Sequence, residues 1–333
     1  MNFKLIALSG GLGRALVMLA LLSLPTLLPA QFTFTTNNGS ITITRYIGPG
    51  GEVSIPATIN DLAVTCIGNG AFRQTDIVTR IMIGRNVSRI EVYAFYSCAS
   101  VTAIAVDENN ASYSSLDGVL FDRTRSVVIQ YPAGRGGSYT IPDGVSEIGT
   151  NAFRSCTGLT EIIIPESITR IGESAFRSCA SLSHIIIPHN VTDIENHAFA
   201  GSSLTTIKIP NSVTNLGDTA FYECFDLMSV EIGSSIRRVG QYVFASCHTL
   251  TNVALPSNVD TIDDWAFYNC PSLASVTIPQ SATNLGDHSF YYCIKLTDVY
   301  FKGNAPILNG SSVFAGDDYA TVHYLPGTIE AIS

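Results

Sequence analysis

The chain has 333 residues, of which 46% are apolar and only 14% charged, and its formal net charge is −9. This composition excludes a disordered chain, which requires low hydrophobicity and high charge. An acidic balance without a basic cluster excludes a nucleic-acid partner.

Residues 1–30 carry Lys4 and Arg14, then an apolar run over 15–24 and the small residue Ala30. That is the order of a secretory signal peptide cut between Ala30 and Gln31. Pro25 and Pro29 stop the run short of the roughly 20 apolar residues a membrane span needs, so no span is expected after cleavage. Losing Lys4 and Arg14 moves the net charge from −9 to −11.

Residues 31–56 are expected to form an N-terminal hairpin cap, with alternating strands at 41–46 and 52–55 joined by Gly48-Pro49-Gly50-Gly51. Terminal units of a repeat array need such a cover for their exposed apolar edge.

From residue 57 to 314 one unit recurs, written most clearly from Cys156 to Phe176 as CTGLTEIIIPESITRIGESAF. Its phenylalanines are Phe72, Phe95, Phe153, Phe176, Phe199, Phe221, Phe244, Phe267, Phe290 and Phe314, spaced by 23, 58, 23, 23, 22, 23, 23, 23 and 24 residues. A fixed period in this range identifies a stacked solenoid. Its predicted form is mainly β, with parallel strands stacked every 23 residues or so. In each unit Leu159, Ile162 and Ile164 sit on a short buried strand that Pro165 ends. Ile168 and Ile171 anchor a second extended piece, and residues 173–177 form a turn or a single helical turn that drops Ala175 and Phe176 inside.

The 58-residue interval holds an inserted hairpin at 107–138, with strands near 119–121 and 127–131, and the repeat resumes at Tyr139. It is either an individual surface or a spacer that extends the sheet locally. Residues 315–333 form a C-terminal cap or a truncated tail.

The positions Cys156, Leu159, Ile162, Ile164, Pro165, Ser167, Ile168, Ile171, Gly172, Ala175 and Phe176 resemble the BspA-like leucine-rich repeat over about residues 53–314. The resemblance implies a leucine-rich repeat solenoid in a secreted or cell-surface protein, and some members of that family act as adhesins.

Seven of the eight cysteines follow an anchor phenylalanine by three residues. An even count in an exported chain invites disulfides. Equivalent residues of a repeat ladder, however, lie on parallel vectors roughly 5 Å apart, whereas a bridge needs converging Cβ atoms. Buried thiols used as small hydrophobes are therefore expected. Cys66 falls instead on the second, outward strand, as an exposed thiol or a structural residue.

No zinc spacing, H-E-x-x-H or nucleophile motif is present, so no cofactor, metal or catalytic set is expected. The pairs Asp263-Asp264 and Asp317-Asp318 read as solvated turns, and Asn86-Val-Ser88 and Asn190-Val-Thr192 match the glycan-acceptor pattern.

Function is sought where the copies disagree. The residues eight and ten after the anchor face solvent if the strand alternates. From these columns Glu161, Ile163, His184, Ile186, Lys208, Glu231 and Tyr300 are the candidate ligand contacts, with Ile163 and Ile186 forming an exposed apolar pair on neighbouring units. The expected function is a non-catalytic secreted or surface module that binds an extracellular protein or glycan. The alternatives are a purely structural extracellular repeat and a polysaccharide-acting solenoid enzyme. The last requires acids and bases converging from adjacent units, and these columns hold mostly Thr, Ser, Ala and Ile.

Overall fold

The structure is a computed structural model that describes residues 31–317 and 319–324. The expected leader, and the tail beyond 324, lie outside the described residues.

The chain winds as a β-solenoid of about 12 turns. Most coils contribute a first strand, a short second strand, usually of two or three residues, and a turn that carries the phenylalanine. First strands pair in parallel with their equivalents one coil on: Thr206 pairs with Ser229 and Ser229 with Asn252, while Lys208 pairs with Glu231 and Glu231 with Ala254. Second strands do the same, with Ile148, Ile171, Ile194 and Leu216 in one column.

The repeated residues form the core, as the period predicts. Leu159, Ile168, Ile171, Ala175 and Phe176 are fully buried and Ile162 nearly so, whereas Ile163 between them is 54% exposed. The phenylalanines stack into a continuous ladder, with Phe176 to Phe199 at 5.3 Å, Phe199 to Phe221 at 5.2 Å and Phe221 to Phe244 at 5.5 Å between centroids. Each ring fully buried in this way is worth several kcal/mol, about 3–5 on truncation to Ala.

Residues 173–178 form turns, and the described residues contain no α-helix. The reason is local. Ser174 has φ +55° and Ser178 φ +60°, and the residues two before and two after the phenylalanine are left-handed in coil after coil. A right-handed helix cannot pass through such residues.

At the N-terminus the pairing differs from expectation. Phe32–Asn37 pairs antiparallel with Ser40–Tyr46 through Asn38-Gly39, both at positive φ. This dipeptide suits a tight hairpin turn. The strand Gly51–Ser54 does not pair with Ser40–Tyr46; it runs parallel to Val78–Ile83 as the first strand of the array. The Gly-rich stretch before it therefore crosses between sheets instead of closing a hairpin.

The insertion is a three-stranded antiparallel meander. It contains the expected strands Val119–Asp122 and Val127–Gln130, together with Tyr113–Leu116. Val127 pairs in parallel with Glu147, so the insertion extends the second-strand sheet rather than forming a separate face. Asn110 ties it down. Fully buried, this side chain donates to the carbonyls of Gly84 and Val87, both at 2.9 Å, and accepts from the amides of Ser112 and Tyr113, both at 2.8 Å.

Candidate ligand-binding surface

The first-strand ladder is interrupted between Leu159–Ile163 and Thr206–Lys208, and again between Asn252–Ala254 and Ser275–Ile278. Leu159–Ile163 pairs with Gly137–Thr140, and Thr206–Lys208 with Ser229–Glu231. Between them the extended residues 184–187 belong to no strand ladder. The coil that follows is one residue short, 22 from Phe199 to Phe221, so Leu204 comes five residues after its phenylalanine instead of six. One link survives there, from the Thr205 amide to the Ser183 carbonyl at 3.0 Å. Beyond it the two chains lose register.

Two grooves flank this unladdered segment. One of 520 Å³ is lined by residues including Glu161, Ile163, His184 and Ile186. The other, of 690 Å³, is lined by residues including His184, Ile186, Lys208 and Glu231. Six of the seven residues expected from the columns therefore come together, with His184 and Ile186 shared by both grooves. Ile186 is the most exposed aliphatic side chain among the described residues, at 72%. Lys208 Nζ is 2.6 Å from Glu231 Oε1, an exposed pair of small energetic weight that leaves both groups free to re-pair with a ligand.

Tyr300 does not join them. It lines neither groove and stacks on His323 at 4.6 Å and 15°. Glu166 and His189 line the larger groove but lie outside the chosen columns; they flank Pro165 and Pro188, in the loop where strand periodicity gives no direction.

The column seven after the anchor is structural. Thr102, Thr205, Thr251 and Thr297 each donate a hydroxyl hydrogen bond to the carbonyl one coil back, all at 3.2 Å. The two glycan-acceptor asparagines are similarly engaged, Asn86 with the Ala57 carbonyl at 3.0 Å and Asn190 with that of Glu166 at 2.7 Å.

All eight cysteines are free and buried. Cys66 is no exposed thiol: at 3% exposure it lies between Thr42 and Arg89, with Glu91 Oε1 3.8 Å from its sulfur. The N-terminal hairpin strand that packs beside it removes the outward face its column has elsewhere.

Among the described residues no group of three or more His, Cys, Asp and Glu side chains is placed to hold a metal ion. Asp263 pairs with Arg238, and Asp264 accepts the Asp287 amide at 2.8 Å. A smaller cleft of 270 Å³ lies beside the insertion, where the Arg154 guanidinium rests over Tyr93 at 5.5 Å and Tyr96 at 5.0 Å. Its faces are thus taken by its own neighbours.

Stacked parallel coils with a variable, grooved strand face define a leucine-rich repeat solenoid. Comparison with known families makes the assignment specific. The model of the BspA type leucine rich repeat region matches six copies over residues 52–130, 137–228 and 214–333, and the chain belongs to that family.

Among solved structures, the chain is similar to a leucine-rich repeat protein from Eubacterium ventriosum, at 24% identity and a TM-score of 0.59, covering 73% of this chain and 64% of that one. It is also similar to the pneumococcal vaccine antigen PcpA, at 18% identity and a TM-score of 0.52, covering 85% and 68%. A leucine rich cell surface protein from Faecalibacterium prausnitzii matches at 23% identity and a TM-score of 0.40, covering 84% and 97%. The chain thus spans about two thirds of the length of the first two, and these likenesses concern the fold. No curated protein sequence matches the chain significantly.

Proposed function

We propose that the protein is a secreted or cell-surface interaction module, without catalytic activity, that binds an extracellular protein or glycan through the first-strand face. The observation that carries this reading is the pair of adjoining grooves sharing His184 and Ile186, set where the sheet ladder is broken. An exposed apolar centre with a polar rim is the anatomy of a recognition surface. Ile163 and Ile186 supply that centre, and Glu161, His184, Lys208 and Glu231 the rim.

Family membership supports a repeat-based interaction module, and relatives described as a cell surface protein and a vaccine antigen support exposure outside the cell. The test is a binding screen of the purified protein against extracellular-matrix proteins and a glycan array, repeated with Ile163→Asp/Ile186→Asp. Loss of the strongest partner by at least tenfold is expected, since hot-spot truncations cost about 2 kcal/mol or more. Equal binding by the variant would exclude this face.

A further inference from the structure

The turn face changes character along the solenoid, and its C-terminal half carries a second surface. The residue two before the phenylalanine is left-handed in most coils, at Tyr93 (φ 62°), Asn151, Ser174, His197 and Thr219, and then at Tyr242 (φ 55°), Trp265 (φ 63°) and His288 (φ 58°). Left-handed backbone suits Gly and Asn and disfavours bulky side chains. Three consecutive coils nonetheless place large rings there, including the protein's single tryptophan. Strain of this kind gathers at functional surfaces.

The rings are ordered. Trp265 and His288 are parallel within 8° at a centroid distance of 4.0 Å. That is too close for rings lying side by side, so they stack face to face, with their normals along the direction from one coil to the next. Tyr242 extends this column at 5.8 Å and 4°. Tyr268 stands at 82° to Trp265, and Tyr291 at 68° to His288. Their planes therefore run along the solenoid. Tyr268 and Tyr291, one coil apart, are parallel within 13° at 5.9 Å, an offset stacked pair of phenol rings. The positions equivalent to this pair hold Tyr96 in the coil of Phe95 and Arg154, Arg177 and Ala200 in the three coils after the insertion.

The charge changes over the same coils. Residues 218–294 hold eight carboxylates against two arginines, whereas residues 151–217 hold five carboxylates against four lysines and arginines. Both arginines of the acidic half sit by carboxylates on the second-strand side, Arg238 between Asp218 and Asp263 and Arg237 by Asp260. Glu223, Asp264 and Asp287 have no lysine or arginine partner among the described residues; Asp264 Oδ1 accepts the Asp287 amide at 2.8 Å, and Asp287 Oδ2 lies 2.8 Å from His288 Nδ1.

We propose that the acidic, aromatic turn face of the coils anchored by Phe221 to Phe290 docks an extended Arg- and Lys-rich segment of a partner protein. Guanidinium and ammonium groups lie over the Tyr268 and Tyr291 rings, whose faces attract cations, and further positive charge meets Glu223, Asp264 and Asp287. Rigid tyrosines give such a surface contact area at low entropic cost. This surface lies on a different face, and mostly on different coils, from the strand grooves, and it stands or falls independently of them.

The test is fluorescence anisotropy with a labelled synthetic peptide of alternating Arg and Gly, beside the same peptide carrying neutral citrulline. The protein is expected to bind the arginine peptide and not the citrulline one. Tyr268→Leu/Tyr291→Leu, which leaves the charge unchanged, should weaken binding about five- to thirtyfold, and Tyr268→Phe/Tyr291→Phe should restore most of it. An unchanged far-UV circular dichroism spectrum and thermal midpoint verify that the variants are folded. If the leucine variant fails to fold, Glu223→Gln/Asp264→Asn gives the second measurement, with a weaker affinity and a shallower salt dependence expected. Equal affinity of the leucine variant, equal binding of the citrulline peptide, an unchanged salt slope, or dependence on these tyrosines only for neutral oligosaccharides would each overturn the proposal.

Discussion

Cysteine is used in this protein for its size and its weak donor. Three residues after each phenylalanine, the side chain must fill a gap between stacked rings and reach back one coil. Cys179 donates to the Phe153 carbonyl at 3.1 Å, Cys247 to that of Phe221 at 3.4 Å, and Cys270 to that of Phe244 at 3.1 Å. In the coil of Phe72 the place is taken by Thr75, whose hydroxyl donates within its own coil to the Phe72 carbonyl at 2.7 Å, the carbonyl that Cys98 also reaches from one coil on. Any small side chain with a donor fits, and the column is repeated because the carbonyl is.

Burial raises the Cys179, Cys224 and Cys247 thiols above their ordinary 9.0, Cys179 to about 12 and Cys224 to about 11. The folded protein thus keeps protons that the unfolded chain releases once pH passes 9. Stability is constant on this account below pH 9 and falls as pH rises toward the folded values, by up to about 1.4 kcal/mol per pH unit for each thiol. Urea unfolding followed from about pH 8 to about pH 11 should show a falling midpoint, with a shallower fall in Cys179→Ser/Cys224→Ser. Identical slopes in the two proteins would show that the thiols do not contribute.

At the scale of elements, one side chain decides how the insertion is held. Asn110 uses all four of its hydrogen-bonding positions, and Asn110→Ala would take a partner from two carbonyls and two amides, of which the Gly84 carbonyl keeps the Val87 amide at 3.3 Å. With unmet buried groups costing about 1–3 kcal/mol each and partial relaxation, a loss of about 3 kcal/mol is expected. Hydrogen exchange should quicken first at Tyr113–Leu116, the strand Asn110 anchors. Protection unchanged there would mean that the meander is held by its ladder alone.

The meander's middle strand Val119–Asp122 and outer strand Val127–Gln130 were legible in the sequence as short apolar runs on either side of a polar turn. Tyr113–Leu116 was not, because its residues are all half-buried and it carries Ser114 and Ser115. The grooves were half legible. Periodicity identified which residues face out, but their opening depends on a single-residue shortening acting one coil away.

At the scale of the whole molecule the core is divided. One cluster runs from Phe32 to Ile104 and includes Leu120, and the other runs from Val119 and Phe121 to Val313. The strand Val119–Asp122 therefore feeds two cores with alternate side chains, and the phenylalanine ladder breaks between Phe95 and Phe153, where Tyr131 stacks on Phe153 at 5.1 Å instead. Solenoids hold together through neighbour contacts only, so cooperativity can fail at such a joint. Because Trp265 reports on the C-terminal core alone, its fluorescence and the far-UV circular dichroism should give different urea midpoints. A single coincident transition would show that the joint transmits unfolding.

The sequence by itself determined the solenoid, its period, its core columns and the outward direction of Glu161, Ile163, His184 and Ile186. These follow from short-range alternation repeated many times, and each copy confirms the others. Only the tertiary structure decided that residues 184–187 leave the ladder, that Cys66 is covered, that Asn110 clamps the insertion and that Tyr268 and Tyr291 are parallel neighbours. Each of these depends on what stands one coil away, about 23 residues distant in the chain and in direct contact in space, and a departure from the repeat has no second copy in which to be read.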